Sequence, residues 1–200
     1  MPKYLSVFST VKNVELANLL SSEPPQRFID THCGNGWNFY GSENLAQEGS
    51  LRIGGRYAET VVGLDINRKY LLRAKANTAD LPNIHLVQAN ATFPPLREEF
   101  IKGSFINIDP SNIREMVTLE RLKYYSMLAD KVTLTLPKIE WGIGSRIIKA
   151  KSFSKKGFLA RGDKDLLLNL RVEILKVGKR IRKIRGETRD HFRIIIEDRK

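Results

Sequence analysis

Phe28-Ile29-Asp30-Thr31-His32-Cys33-Gly34-Asn35-Gly36 is the stretch on which the reading of this chain turns: a short apolar strand ends on an acid and runs into a Gly-x-Gly turn. A carboxylate at the C-terminal edge of a strand, followed by glycines that let backbone N–H groups approach a ligand, is how open α/β sheets hold a nucleotide-like cofactor. A dinucleotide fingerprint needs a small residue three positions past the second glycine, and here that position is Phe39. Nicotinamide and flavin sites are therefore disfavoured. The Gly-x-x-x-x-Gly-Lys-Ser/Thr cradle of nucleoside triphosphates is absent.

Outward from that stretch, apolar runs and helical patterns alternate. N-terminally, residues 13–20 read as a helix with Asn13 as its N-cap, closed by Pro24-Pro25. C-terminally, 37–47 reads as a helix stopped by Gly49, and Gly54-Gly55 interrupts any periodicity before a buried strand at 59–65 that again ends on an acid, Asp65. The 35 positions between Asp30 and Asp65 exceed the roughly 20 of a compact βαβ cofactor unit, so residues 48–59 read as an insertion, either a loop over the cofactor or a peripheral extension. Asn67 caps a helix running to about 78. Strands at 84–87, 104–108 and 131–136 follow, the last closed by Pro137. Between the last two, Ile113, Met116, Val117, Tyr124, Met127 and Leu128 form an apolar stripe at helical period. Segments 172–177 and 192–197 read as two antiparallel strands joined by a basic connection ending in Arg185-Gly186. The expected fold is α/β: a doubly wound, mostly parallel seven-stranded sheet with helices on both faces and a C-terminal antiparallel hairpin.

Two hundred residues suit one domain: a helical cap over 1–24, a cofactor-binding core over 25–137, and a basic loop and hairpin over 138–200 on the substrate side. No apolar run approaches the roughly 18–20 residues of a membrane span, and the single cysteine cannot form an intramolecular disulfide. A soluble, cytoplasmic protein is expected, with no membrane partner. One Cys and three His offer no metal-site spacing. The net charge of +12 is confined to one half: residues 1–100 balance 10 basic against 10 acidic side chains, whereas 101–200 hold 24 against 12. Residues 146–185 alone carry 14 basic and 3 acidic residues, the footprint of a polyanion-binding surface. Its candidate phosphate contacts are Arg146, Lys149, Lys151, Lys155, Lys156, Arg161, Lys179, Arg180, Arg182, Lys183 and Arg185. A merely solvated basic face is the plainer alternative.

Four strand ends carry ligand-grade residues: Asp30 with Gly34 and Gly36, Asp65, Asn90, and Asp109-Pro110. In a doubly wound sheet they converge on one crevice. This ordered set resembles the class I S-adenosylmethionine-dependent methyltransferases of the nucleic-acid-modifying type. Phe-Ile-Asp-Thr-His-Cys-Gly-Asn-Gly is similar to their first motif, Val-Val-Gly-Leu-Asp-Ile-Asn to the second, Ile-His-Leu-Val-Gln-Ala-Asn-Ala to the third and Phe-Ile-Asn-Ile-Asp-Pro-Ser-Asn to the fourth. The resemblance implies a Rossmann-like methyltransferase that takes S-adenosylmethionine. It also implies that Asp30, His32, Cys33, Gly34 and Gly36 surround the methionine portion, Asp65 takes the ribose hydroxyls, Ile66 covers an adenine face, and Asn90 with Ala91 meets the adenine edge. Asp109, Pro110, Ser111 and Asn112 stand where the family orients an exocyclic amino group for methylation, although Ser111 and Asn112 replace that motif's second proline and its aromatic.

Several residues have plainer readings. Asn112 with Glu115 makes a capping box, Cys33 a small packing residue, His32 a loop histidine on backbone, and His85 a structural strand residue. Function therefore reads as methyl transfer to nucleic acid, RNA before DNA, at a base nitrogen. The alternatives are ribose 2'-O-methylation through a Lys12, Asp109, Lys138, Glu173 tetrad, methylation of a protein or small molecule, and a non-catalytic nucleic-acid-binding module of the same fold.

Overall fold

The computed structural model describes residues 5–36, 49–91, 94–108, 119–137, 172–183 and 191–198. Its elements, in order, are α1 (Leu5–Ser22), β1 (Arg27–Asp30), α2 (Ser50–Tyr57), β2 (Thr60–Asp65), α3 (Arg68–Asn77), β3 (Ile84–Gln88), α4 (Glu98–Ile101), β4 (Phe105–Ile108), α5 (Leu119–Leu128), β5 (Lys131–Pro137), β6 (Lys179–Lys183) and β7 (His191–Asp198). The seven strands form one sheet in the order β3-β2-β1-β4-β5-β7-β6. The first five are parallel, while β7 runs antiparallel between β5 and β6. The sequence order reverses between β1 and β4, and the crevice of such a sheet opens outside the strand ends at that switch point.

Alternation along the strands sorts the core into two layers. Phe28, Val61 and Phe105 point to the face covered by α1, α2 and α3, where they pack with Leu16, Leu20, Leu51, Ile53 and Ala74. Ile29, Val62, Leu64, Ile106, Ile108, Val132, Leu134, Ile194 and Ile196 point to the other face, against Ile101, Leu122, Tyr125 and Ile174. Strands buried on both faces explain why the sequence reads as near-continuous apolar runs.

The fold class agrees with expectation, and the differences are local. Asn13 lies inside α1, which begins at Leu5, rather than at the helix's N-terminus; complete burial of Leu16 and Leu20 outweighs the weak helix preference of asparagine. Gly54 and Gly55 lie within α2, and the segment read as an insertion is a crossover helix lying on the sheet. The glycines are there for contact. A Cβ on Gly54 would sit 2.3 Å from the Phe28 ring, and one on Gly55 2.7 Å from Ile84. Gly49 precedes this helix as its N-cap residue; the helix expected at 37–47, which Gly49 was to stop, falls outside the described residues.

Of the stripe expected on α5, Tyr124 and Leu128 pack partly buried against the core beside the buried Leu122, Tyr125 and Ser126, while Met127 is 64% exposed; Ile113, Met116 and Val117 fall outside the described residues. The segment expected as a strand at 172–177 is a helical turn over 172–176 that inserts Ile174 into the core. The expected basic connection supplies β6, which becomes the outer partner of β7.

Candidate functional site

The turn after β1 is tied down from three sides. Thr31 N–H donates to Asn107 O at 3.0 Å, Cys33 N–H to Leu64 O at 3.0 Å, and Asn77 Nδ2 to Asn35 O at 2.8 Å, so β4, β2 and the end of α3 each hold one point of it. Gly34 and Gly36 take φ values of +55° and +75°, the left-handed region that a side chain disfavours. Gly34 N–H then points at Asp65 and donates to Oδ2 at 3.0 Å. The other carboxylate oxygen, Oδ1, accepts from Asn67 N–H at 2.7 Å, and Asn67 in turn caps α3 by accepting from Lys69 N–H at 3.0 Å. Asp65 is half-buried and clamped between two backbone donors. An ionised carboxylate has about four acceptor positions, so lone pairs remain on both oxygens for a ligand's hydroxyls.

Asp30 behaves differently. It is completely buried, and its oxygens accept from Ser50 Oγ at 2.6 Å and Asn107 Nδ2 at 3.1 Å. Asn107, itself fully buried, accepts from Thr133 Oγ1 at 3.0 Å. A polar chain thus crosses from α2 through β1 and β4 to β5 directly beneath the switch point. Asp30, expected to hold the methionine portion of a ligand, accepts from Ser50 and Asn107 and so anchors the turn from below. Cys33 takes its plainer reading, that of a small packing residue. Its thiol is buried in the core against Gly63, and burial together with the Asp30 and Asp65 carboxylates pushes its pKa far up, which leaves it unreactive.

His32 is part-buried beside its neighbour, with Nδ1 2.9 Å from Thr31 Oγ1. Ile66, the next residue after Asp65, is 58% exposed, an apolar side chain at a crevice mouth. The segment after β3 approaches the same edge: Ala89 N–H donates to Asp65 O at 3.1 Å, Asn90 is exposed, and Ala91 O accepts from Tyr125 Oη at 2.7 Å. Glycine turn, Asp65, Ile66 and Asn90-Ala91 are therefore brought together, as expected. Asp109, Pro110, Ser111 and Asn112 lie outside the described residues.

Ser50, Asn107 and Tyr125 were missed by sequence reasoning, whereas Asn67 was read there as the cap it is. Asn107 carried a signal, a lone amide inside the apolar run Phe105–Ile108, where asparagine is disfavoured unless a buried partner needs it.

The basic residues divide. Arg146, Lys149, Lys151, Lys155, Lys156, Arg161 and Arg185 lie outside the described residues, as does the Lys183 side chain. Lys179 is not an exposed cation, a correction to the expected phosphate contacts: it is 8% exposed, donating to Ala129 O at 3.0 Å and pairing with Asp198 at 2.7 Å. Arg180 and Arg182 share the Glu197 carboxylate at 2.9 and 3.6 Å. Glu173, the acid of the ribose tetrad, is held by Lys123 at 2.8 Å and Lys176 at 2.5 Å, which pull its pKa down to about 2; Asp109 and Lys138 are outside the described residues. Among the described residues there is no His/Cys/Asp/Glu cluster suited to a metal and no helix long and apolar enough to cross a membrane.

No protein-family model matches the sequence, and no curated protein matches it significantly. Solved structures do match in fold. The methyltransferase domain of bacterial CtHen1-C is 17% identical, with 96% of this chain and 100% of that one covered, at a TM-score of 0.63. Magnesium protoporphyrin IX methyltransferase from Synechocystis PCC 6803, solved with S-adenosylhomocysteine bound, is 13% identical over 100% and 89% of the chains, with a TM-score of 0.63. Ribosomal protein L11 methylase from Lactobacillus delbrueckii subsp. bulgaricus is 14% identical over 94% and 80%, with a TM-score of 0.53. Strand order, antiparallel terminal hairpin and these likenesses agree: the chain has the Rossmann-like fold of the class I S-adenosylmethionine-dependent methyltransferases.

Proposed function

We propose that this protein is an S-adenosylmethionine-dependent methyltransferase that acts on nucleic acid, RNA before DNA, at a base nitrogen. The observation that carries the cofactor assignment is the Gly34 N–H to Asp65 bond, which joins the glycine turn and the second strand's acid into one acceptor site at the switch point. The donor set fits the group: a clamped carboxylate for a ribose diol, an exposed Ile66 for an adenine face, and a turn whose backbone approaches without a side chain in the way. When bound, the sulfonium supplies an electrophilic methyl group. Asp65 accepts the ribose hydroxyls, Gly34–Gly36 line the amino-acid end, and Asn90 reads the adenine edge. Asp109 and the Pro110 carbonyl accept the hydrogens of the target amino group and so turn its lone pair toward the methyl carbon.

Fold alone does not choose the substrate, since proteins named for a porphyrin and for a ribosomal protein share it. The choice of nucleic acid rests on charge, the excess of +12 lying wholly in residues 101–200. Residues 138–200 are assigned to the substrate side, with the phosphate grip in the basic residues outside β6, because Lys179, Arg180 and Arg182 are engaged with Asp198 and Glu197.

Calorimetric titration with S-adenosylhomocysteine up to millimolar concentration tests the cofactor assignment, and no heat of binding refutes it. Asp65→Ala should raise Kd by about 5- to 150-fold, corresponding to about 1–3 kcal/mol for bonds to a charged acceptor, at unchanged fold. Radiolabelled methyl transfer to total RNA, genomic DNA and protein extract in parallel identifies the substrate. Labelling of protein alone refutes the nucleic-acid assignment, as does RNA affinity that does not fall with salt.

A further inference from the structure

We infer that Asn77, at the end of α3, is a positioning residue for the part of the glycine turn that receives the amino-acid end of the cofactor, an inference that rests on the methyltransferase reading above. Gly34 and Gly36 give this turn its course, and two residues in the left-handed region leave the backbone between them free to swing unless something outside holds it. β2 holds the first half: Cys33 N–H donates to Leu64 O at 3.0 Å and Gly34 N–H to Asp65 Oδ2 at 3.0 Å. The second half is held by α3. Asn77 Nδ2 donates to Asn35 O at 2.8 Å, and Gly36 lies so close to the helix that a Cβ there would stand 3.4 Å from both Ala74 and Thr78.

A helix end makes a poor anchor by itself, because its last carbonyls have no partner within the helix and the final turn frays. The end of α3 is secured from outside. Arg52, buried on α2, sends Nη1 to Asn77 O at 2.6 Å and grips the Asp80 carboxylate with both terminal nitrogens, at 2.6 and 2.7 Å. The guanidinium meets the C-terminal carbonyl of the helix, where a cation is favoured, and the two-pronged pair fixes the residues just beyond it. Asn77 is thus held at its backbone by α2 while its amide reaches the turn. α2 in turn is seated in the core by Leu51 and Ile53. The line from α2 through Arg52 and Asn77 sets where the peptide between Asn35 and Gly36 stands, and so how the backbone of the turn meets a ligand's amino-acid end. The ribose end is set separately, by the N–H groups of Gly34 and Asn67 on Asp65.

Asn77→Ala removes the amide and keeps the helix, alanine being the better helix former, and the half-buried Asn35 turns its carbonyl to water. Asn77→Asp keeps the shape and puts an acceptor where the donor was. The wild-type protein and both variants are titrated by calorimetry with S-adenosylhomocysteine and with 5′-methylthioadenosine, which has the same adenine, ribose and sulfur but no amino-acid end, and thermal unfolding is recorded for each. The wild type is expected to bind S-adenosylhomocysteine more tightly. In Asn77→Ala that preference should shrink by about 3- to 10-fold, the effect of one hydrogen bond, and in Asn77→Asp by at least as much. A merely structural role would lower the unfolding temperature and leave the ratio of the two affinities as it was. An unchanged ratio, or loss of both ligands together, in a variant that still unfolds cooperatively overturns the inference. Failure of the wild type to bind either ligand, or to prefer S-adenosylhomocysteine, overturns the underlying assignment instead.

Discussion

Asn107→Leu measures how much the buried chain beneath the switch point contributes. Asp30 is wholly enclosed and accepts from Ser50 Oγ at 2.6 Å and from Asn107 Nδ2 at 3.1 Å. Leucine has the same number and branching of side-chain heavy atoms as asparagine but donates nothing, so the variant leaves a buried carboxylate with one donor fewer. A hydrogen bond to a charged group contributes about 1.5–3 kcal/mol. Thr133 Oγ1, which donates to Asn107 Oδ1 at 3.0 Å, loses little because Ile106 O lies 3.4 Å away. The expected loss is about 2–4 kcal/mol, a large part of the roughly 5–15 kcal/mol of a typical domain. At this chain length that corresponds to a fall in Tm of roughly 5–15 °C. Repeating the substitution in an Asp30→Asn background isolates the charge. There the amide oxygen faces Asn107 and its nitrogen donates to Ser50 Oγ, and removing Asn107 should cost only about 1 kcal/mol, as for a neutral bond. Urea unfolding followed by circular dichroism, with the m-value checked for constancy, gives both numbers. A loss below about 0.5 kcal/mol in the first background, or an equal loss in both, refutes the charge-assisted chain.

Two further predictions follow from contacts already described. Gly54→Ala should destabilise by about 1–3 kcal/mol despite alanine's better helix propensity, because the new methyl meets the buried Phe28 ring at 2.3 Å; equal or higher stability in urea would refute the close packing of α2 on the sheet. The Glu173 carboxyl should titrate at about 2, well below its ordinary 4.5, because Lys123 and Lys176 favour the ionised form. With the folded value below the unfolded one, this contribution to stability is complete above about pH 4.5 and is lost as pH falls toward 2. A carbon-detected NMR titration reads the midpoint directly, Lys123→Met should move it upward, and a wild-type midpoint near 4.5 would refute the pairing.

What was legible in the sequence follows from which interactions are local. Asn67 was readable as a cap because its partner, Lys69 N–H, is two residues away. The strands were readable because burial on both faces makes them continuous apolar runs. Gly54-Gly55 was misread because the reason for it lies outside α2: Phe28, 26 positions earlier, and Ile84, about 30 later, need the space that a side chain would fill. The 172–177 segment was misread because a short apolar run has no clear period, and the matter is settled by Ile174 reaching the core and Glu173 pairing with Lys123, 50 positions away. Asp30 shows the same limit at the site. Its place at a strand end was visible, but Ser50 and Asn107, which decide whether its oxygens face a ligand or the interior, lie 20 and 77 positions away.

The two acids at the strand ends thus divide what at first looked like one task. Both end a buried strand and both were assigned to the ligand on that ground. Among the described residues, Asp65 is half-buried and held by backbone N–H groups, from Gly34 and Asn67, so its position there depends on the course of the chain and little on side-chain identity. Asp30 is fully buried and held by two side chains, Ser50 and Asn107, so its position depends on those identities. Substitution should therefore separate them: at Asp65, ligand affinity falls and stability holds; at Asp30 or its partners, stability falls first. Loss of affinity without loss of stability on replacing Ser50 or Asn107 would return Asp30 to the ligand side. Parallel loss of both at Asp65 would make that residue an anchor as well, leaving the exposed Ile66 and Asn90 as the ligand-facing side chains at this edge.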